Sequence, residues 1–154
     1  MVKIGDVAPD FQLPNQDGEL IKLSDLRGQK VIIFVFPKAD TPGCNAQACG
    51  FRDQFPQIQT ADAIVFGVSA DTQDDLKAWQ QAYNLPYDLL SDSDHSMLSE
   101  WGAWDNVAFK NRSFAAPVRS FWVVNEDGKI IAGQVRITPD ESVKQALATI
   151  EADD

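Results

Sequence analysis

The stretch KVIIFVF at residues 30–36 decides the fold. After its first residue every side chain is apolar, so both faces must be buried, as in a central strand of a sheet that is covered on both sides. The stretch AIVFGVS at residues 63–69 has the same character. Pro37 ends the first strand, because proline has no backbone N–H to give to a sheet. Two such strands predict a sheet at the centre of the protein.

The rest of the chain alternates between helix and strand patterns. A helix is expected at residues 42–58, with Thr41 as the candidate N-cap, Pro42 at the first helical position and Pro56 kinking or ending it. The other expected elements are strands at residues 11–13, 19–23, 87–90, 119–125 and 129–136, a helical turn at 24–26, and helices from 71 or 72 to 83, at 94–101 and at 140–150. Residues 102–117 carry few signals and are expected to form a loop near the functional site.

This element order predicts a single domain, residues 1–154, with a thioredoxin-like α/β fold. A central mixed β-sheet is flanked by helices, and an N-terminal β-hairpin closes around a turn at residues 14–18. The strands on either side of Glu126-Asp127-Gly128 add an antiparallel pair late in the chain.

The composition narrows the range of functions. The formal net charge is -10, so the surface should repel phosphate backbones and anionic membranes. The N-terminus, MVKIGD, lacks the apolar core of a secretory signal, and the longest apolar run, residues 31–36, is too short to span a bilayer. We therefore expect a cytoplasmic protein that binds neither nucleic acid nor membrane.

Cys44 carries the strongest chemical signal. It follows a buried strand and opens a helix, and such carboxyl-end loops are where open α/β sheets bind ligands. Free backbone N–H groups and the helix dipole favour the thiolate, which is the nucleophilic form of cysteine. Thr41 supplies a hydroxyl on the same face, and Pro37 and Pro42 stiffen the loop. The alternative is an ordinary helix start that contains a small buried thiol.

The pattern Pro37-x-x-x-Thr41-x-x-Cys44 resembles the active-site motif of the peroxiredoxins. A longer run is similar to the bacterioferritin-comigratory, or Q-type, branch of that family, and spaced matches cover nearly the whole chain. The matching residues are Gly5-Asp6-x-Ala8-Pro9-Asp10-Phe11, Phe36-Pro37-Lys38, Thr41-Pro42-Gly43-Cys44, Gln47-Ala48-Cys49, Phe51-Arg52-Asp53, Leu90-Ser91-Asp92 and Arg119-Ser120-Phe121. Asn45 and Asn125 depart from the residues, threonine and aspartate, that are common in this branch.

The resemblance implies a role for each site residue. Cys44 would be the peroxidatic cysteine, Thr41 and Arg119 would bind and polarise the peroxide, Pro37 would shield the pocket, and Cys49 would be the resolving cysteine. It also implies hydrogen peroxide or organic hydroperoxides as substrates, with thioredoxin or a similar dithiol as the reductant.

Three arginines are candidates for a cation beside the sulfur. Without the resemblance, Arg119 would be interpreted as a surface arginine in an ion pair. Arg52 and Arg112 are the other candidates. A fixed positive charge at this place would stabilise both the thiolate and the oxygen that leaves the peroxide.

The spacing of Cys44 and Cys49 makes a geometric prediction. Residues five apart in a helix are rotated by about 140° and separated by about 8.7 Å between Cα atoms, whereas a disulfide needs about 4.4–6.8 Å. The helix must therefore unwind if the two cysteines join, and Gly43 and Gly50 bracket the stretch concerned. An intramolecular bridge needs no second chain, so we expect a monomer. The alternative for Cys49 is an inert core thiol.

Other kinds of site have weak support. His95 is the only histidine, and no cysteine or histidine spacing suits a metal, so we expect neither a metal nor another cofactor. Trp122 is expected in the core, and Trp101 and Trp104 at the pocket mouth or a partner contact. Two rival functions use the same cysteines: a redox-sensing, holdase-like protein and a thiol–disulfide oxidoreductase that ignores peroxide.

Overall fold

The computed structural model describes residues 2–152, with the backbone alone at residue 109. Its strands are β1 (Gln12–Pro14), β2 (Leu20–Lys22), β3 (Lys30–Val35), β4 (Ala63–Ser69), β5 (Asp88–Ser91), β6 (Trp104–Phe109), β7 (Arg112–Pro117), β8 (Ser120–Val124) and β9 (Ile130–Val135). Its α-helices are α1 (Pro42–Asp53), α2 (Phe55–Thr60), α3 (Gln73–Tyr83), α4 (Ser96–Glu100) and α5 (Pro139–Ala152). A 3₁₀ turn spans Leu23–Leu26.

A five-stranded mixed sheet forms the centre of the protein, in the order β5-β4-β3-β8-β9. The pairs β3–β4 and β4–β5 are parallel, and β3–β8 and β8–β9 are antiparallel. The N-terminal hairpin is the separate antiparallel pair of β1 and β2. The thioredoxin-like fold predicted from the sequence is therefore confirmed.

Strand β3 is buried along its whole length, as its sequence predicts. Successive side chains of a strand point to opposite faces. Accordingly Ile32 and Phe34 belong to the core cluster that also includes side chains of α1, α3 and α5, whereas Ile33 and Val35 belong to the cluster that includes side chains of the N-terminal hairpin and α4. Burial on both faces holds the carboxyl end of β3 firmly, and the next loop carries the candidate site.

The helix predicted at residues 42–58 is two helices in the structure. α1 ends at Asp53, and Pro56 lies in the first turn of α2, where its missing N–H costs no hydrogen bond. Thr41 lies at the N-cap of α1 in an extended conformation, but its side chain makes no capping hydrogen bond. The position of the cap was predicted correctly, and the hydroxyl has a different partner.

The prediction of a loop at residues 102–117 is wrong. Residues 104–117 form an antiparallel hairpin, β6–β7, in which Phe109 pairs with Arg112 around the turn. Lys110 and Asn111 both have positive φ, 50° and 62°, as a type I′ hairpin turn requires. Lys-Asn is a weak signal for this turn, and the first four residues of β7 are exposed, so no apolar alternation marks the strand.

Two tryptophans flank the base of this hairpin. Trp101 is fully buried and packs edge-to-face against Trp122 at 5.2 Å between ring centroids, so the expectation that Trp101 lies at a pocket mouth is wrong. Trp104 is half-buried and stacks on His95 at 4.0 Å. Within residues 2–152, no helix has the length and apolar character needed to cross a membrane.

Candidate active site

Asp71, the second residue after β4, stabilises the loop between β3 and α1 through hydrogen bonds. The Asp71 carboxylate accepts hydrogen bonds from the Ala39 backbone N–H at 2.8 Å and from the Ser69 hydroxyl at 2.7 Å. Asp40 takes a positive φ of 59°, which turns the chain toward the helix. The Thr41 hydroxyl donates to the Lys38 carbonyl at 2.8 Å. These bonds fix the loop that delivers Cys44 to the start of α1.

Cys44 lies in the first turn of α1 and is fully buried. Its backbone N–H is one of those that a helix start leaves without an intrahelical partner. Nη2 of Arg119 donates to the sulfur at 3.5 Å, although the two residues are 75 positions apart in the chain. The structure therefore brings a helix N-terminus and a guanidinium group, both of them sources of positive potential, to the Cys44 sulfur.

Arg119 is oriented by a chain of buried side chains. Its Nη1 donates to Oε1 of Gln47 at 2.8 Å, and Nε2 of Gln47 donates to Oγ of Ser142 at 3.1 Å. The Ser142 hydroxyl donates in turn to the Pro139 carbonyl at 2.7 Å. Gln47 and Ser142 are both fully buried. The guanidinium is thus anchored to α5 through a single continuous network.

Gln47 and Ser142 are site residues that the sequence reasoning did not assign. Gln47 lies three residues after Cys44, and residues at that spacing share a helix face, so its spacing was a usable signal. Ser142 joins the network from α5, almost a hundred residues later, and no local pattern marks it.

Gly43 leaves room for the guanidinium of Arg119. A β-carbon at this position would lie 2.8 Å from Nη2 of Arg119, so the end of the arginine side chain would have to move away. The absence of a side chain at residue 43 therefore lets the guanidinium approach the first turn of α1. Packing against Arg119 accounts for this glycine without any need for backbone flexibility.

The structure also places the other residues that the sequence proposed for the site. Pro37 and Thr41 lie half-buried in the loop that precedes Cys44. Arg112 lies exposed in β7, and Arg52 donates to the Tyr83 carbonyl at 2.8 Å. Among the three candidate cations, the contact with the Cys44 sulfur is made by Arg119. In the described part of the chain, no group of three or more His, Cys, Asp or Glu side chains could hold a metal ion.

Cys49 lies further along the same helix and is half-buried, and both cysteines are free thiols. A hydrogen bond to Asp40 raises the pKa of Tyr83, burial raises the pKa of Tyr87, and a hydrogen bond to Asp53 raises the pKa of Arg52. In each case the charge of a nearby Cys49 thiolate adds to the rise. Cys49 therefore lies near Tyr83, Tyr87 and Arg52.

Comparison with known proteins identifies the family of this chain. Residues 4–132 match the AhpC/TSA family. The chain is 40% identical over 129 residues to Peroxiredoxin Bcp of Escherichia coli strain K12, covering 84% of this chain and 83% of that protein. It is 41% identical over 133 residues to the putative peroxiredoxin Rv2521 of Mycobacterium tuberculosis strain H37Rv, covering 86% and 85%.

Solved structures show the same fold. Peroxidoxin BcpB from Mycobacterium tuberculosis superposes with a TM-score of 0.88 at 29% identity, over 99% of this chain and 98% of that one. A mutant of Xylella fastidiosa PrxQ superposes with a TM-score of 0.91 at 20% identity, over the same shares of the two chains. With the matching family and the relatives above, the conclusion is that this chain belongs to the AhpC/TSA family and is a peroxiredoxin of the bacterioferritin-comigratory branch.

Proposed function

We propose that this peroxiredoxin reduces hydrogen peroxide and organic hydroperoxides with Cys44 as the nucleophile and Cys49 as the resolving thiol. The observation that carries the proposal is the 3.5 Å contact between Nη2 of Arg119 and the Cys44 sulfur, in the first turn of α1. A fixed cation beside a thiol at a helix start suits a reaction in which a thiolate attacks and a second anion leaves.

The first step converts Cys44 to a sulfenic acid. The thiolate attacks one peroxide oxygen, a sulfur–oxygen bond forms, and the oxygen–oxygen bond breaks. The departing oxygen leaves as hydroxide or alkoxide and takes up a proton, giving water or an alcohol. Arg119 stabilises the negative charge on the sulfur before attack and on the departing oxygen during it. Thr41, whose hydroxyl hydrogen is given to Lys38, keeps lone pairs free to accept a hydrogen bond from the peroxide.

The second step joins the two cysteines. The Cys49 thiolate attacks the Cys44 sulfenic sulfur, the sulfur–sulfur bond forms, and the hydroxyl leaves as water after it takes up a proton. Both cysteines lie within the single helix α1, where their Cα atoms would be about 8.7 Å apart. The first turns of α1 must therefore unwind before a disulfide of ordinary geometry can close.

The third step restores the dithiol. A thiolate of an external dithiol, thioredoxin or a similar protein, attacks the bridge, breaks the sulfur–sulfur bond and forms a mixed disulfide. The second thiol of that protein then displaces the remaining cysteine, so the reductant leaves as a disulfide and its two electrons stay on Cys44 and Cys49 as two thiols. Because the bridge is internal to one chain, the cycle needs no second subunit, and we propose that the protein acts as a monomer. We place the reaction in the cytoplasm, where such reductants keep thiols reduced.

Rapid mixing with hydrogen peroxide tests the proposal. Trp79 is nearly buried and packs against Phe36 at 4.7 Å, and its indole N–H donates to Asn45, the residue next to Cys44. Its fluorescence should therefore report a change at the site. We expect a fast signal whose rate rises linearly with peroxide in the wild type and disappears in Cys44→Ser. No reaction in the wild type would overturn the proposal in favour of a redox sensor or a protein disulfide oxidoreductase.

A further inference from the structure

We propose that Asn45 is the centre of a polar clasp that keeps α1 wound and limits the rate at which Cys49 reaches the oxidised Cys44. The clasp is defined as Asp40, Asn45, Trp79 and Tyr83. The inference rests on the proposed function of Cys49 and deepens it by assigning the residues that control the resolving step.

The Asn45 amide bonds with three partners at once. Its Nδ2 donates to the Tyr83 hydroxyl at 3.0 Å and to Oδ1 of Asp40 at 3.3 Å. Its Oδ1 accepts from the indole N–H of Trp79 at 2.7 Å. Tyr83 also donates to Asp40 at 3.0 Å, which closes the set into a ring. The first turn of α1 is thereby tied to α3 and to the loop that precedes Cys44.

The clasp lies on the face of α1 that carries Cys49. Asn45 and Cys49 are four residues apart, a spacing that places two side chains on one helix face. Cys44 points elsewhere, toward Arg119. To meet Cys49, the Cys44 sulfur must leave that side and move around the helix. Asn45 is covalently next to Cys44 and moves with it, so its bonds to Tyr83 and Trp79 must open.

The turn beyond Cys49 has its own anchor. Nη1 of Arg52 donates to the backbone carbonyl of Tyr83 at 2.8 Å. Tyr83 thus binds α1 on both sides of Cys49, through its hydroxyl before the cysteine and through its carbonyl after it. Unwinding of residues 42–48 breaks the first of these connections and leaves the second in place. The Asn45 clasp is therefore the part of the contact whose strength sets how readily the helix start opens.

This arrangement has a chemical consequence for Cys44. While the clasp is closed, the sulfenic acid waits beside Arg119 and can react with a second peroxide, which gives a sulfinic acid that thiols do not reverse. A more stable clasp gives the Cys44 sulfenic acid a longer lifetime before Cys49 reaches it. The clasp should therefore set how much peroxide the protein tolerates before it is inactivated.

The test uses Asn45→Ala and Tyr83→Phe, with Gln59→Ala as a control that removes an exposed amide from α2. Samples are mixed with peroxide and quenched with an alkylating agent, and the oxidation states of the cysteines are identified by mass spectrometry. Tryptophan fluorescence is not used here, because Trp79 belongs to the clasp and would not be an independent readout. We expect disulfide formation in both clasp variants to be about tenfold faster, which corresponds to about 1.4 kcal/mol. Sulfenic acid formation should stay within about twofold of wild type, and the sulfinic fraction at excess peroxide should fall.

The outcomes separate this inference from the function on which it rests. Unchanged or slower disulfide formation in both variants, with a normal disulfide in the wild type, overturns the clasp and leaves the peroxidase intact. A wild type that consumes peroxide without forming a disulfide overturns the role of Cys49, and the clasp with it. Circular dichroism of both variants before mixing checks that α1 and the fold remain formed.

Discussion

Cys44 and Cys49 lie in one helix, yet their surroundings differ in almost every respect. Cys44 is fully buried, and its sulfur accepts from Arg119. Cys49 is half-buried and lies near Tyr83, Tyr87 and Arg52. A helix turns by about 100° per residue, so a step of five residues moves a side chain to another face. The side chains around each thiol are therefore set by the face of α1 on which that thiol lies.

Removal of either thiol should have the largest effect on activity, and each removal should affect a different step. Cys44→Ser should lose peroxide reduction by at least about 10³-fold, because the nucleophile is gone. Cys49→Ser should keep the first turnover and lose recycling by thioredoxin. Single-turnover and steady-state assays on the two variants make the distinction. Full recycling in Cys49→Ser would mean that the pair has been wrongly assigned.

Loss of the cation should have the next largest effect. Arg119→Gln removes the charge beside the sulfur and should slow the first step by about 10²–10³-fold, the range found when one stabilising donor is removed from an active site. Arg52→Gln is the matched control, because Arg52 lies on the Cys49 side of α1. Equal losses in the two variants would show that the nearer cation has no special role.

The network behind Arg119 should matter less. Gln47→Leu removes the acceptor that orients the guanidinium and should slow the first step by about tenfold, while Ser142→Ala, one bond further away, should slow it by a few-fold. Neither change touches the Cys49 face, so the disulfide step should keep its rate. The rate constants of both steps come from the same quenched-flow series. An effect on the second step alone would contradict the network.

The two glycines of α1 offer the smallest and most specific test. At Gly50 a β-carbon would lie 2.9 Å from Cγ2 of Val143. Crowding of this kind lowers the free energy of unfolding by about 1–3 kcal/mol. The higher helix propensity of alanine raises it by about 1 kcal/mol. Gly50→Ala should therefore lower the free energy of unfolding by up to about 2 kcal/mol and leave the first step unchanged. Gly43→Ala, which crowds Arg119, should slow that step, and urea titrations with single-turnover assays measure both effects.

The sequence predicts the parts of the fold that depend on local pattern. KVIIFVF is a buried strand because every side chain after Lys30 is apolar, and Cys44 follows at a helix start because Thr41-Pro42 is a strong start signal. Gln47 could have been assigned to the site from its helical spacing to Cys44. Ser142 could not, because its role depends on how α5 packs against α1. The hairpin at residues 104–117 was not predicted, because its turn has no glycine and most of β7 faces solvent.

The central claim is that Cys44, and not Cys49, attacks the peroxide. The wild-type protein is given one equivalent of hydrogen peroxide in the presence of dimedone, which traps sulfenic acids, and the peptide between Lys38 and Arg52 is sequenced by tandem mass spectrometry. The account predicts the adduct on Cys44. An adduct on Cys49, with Cys44 still reduced, would contradict it.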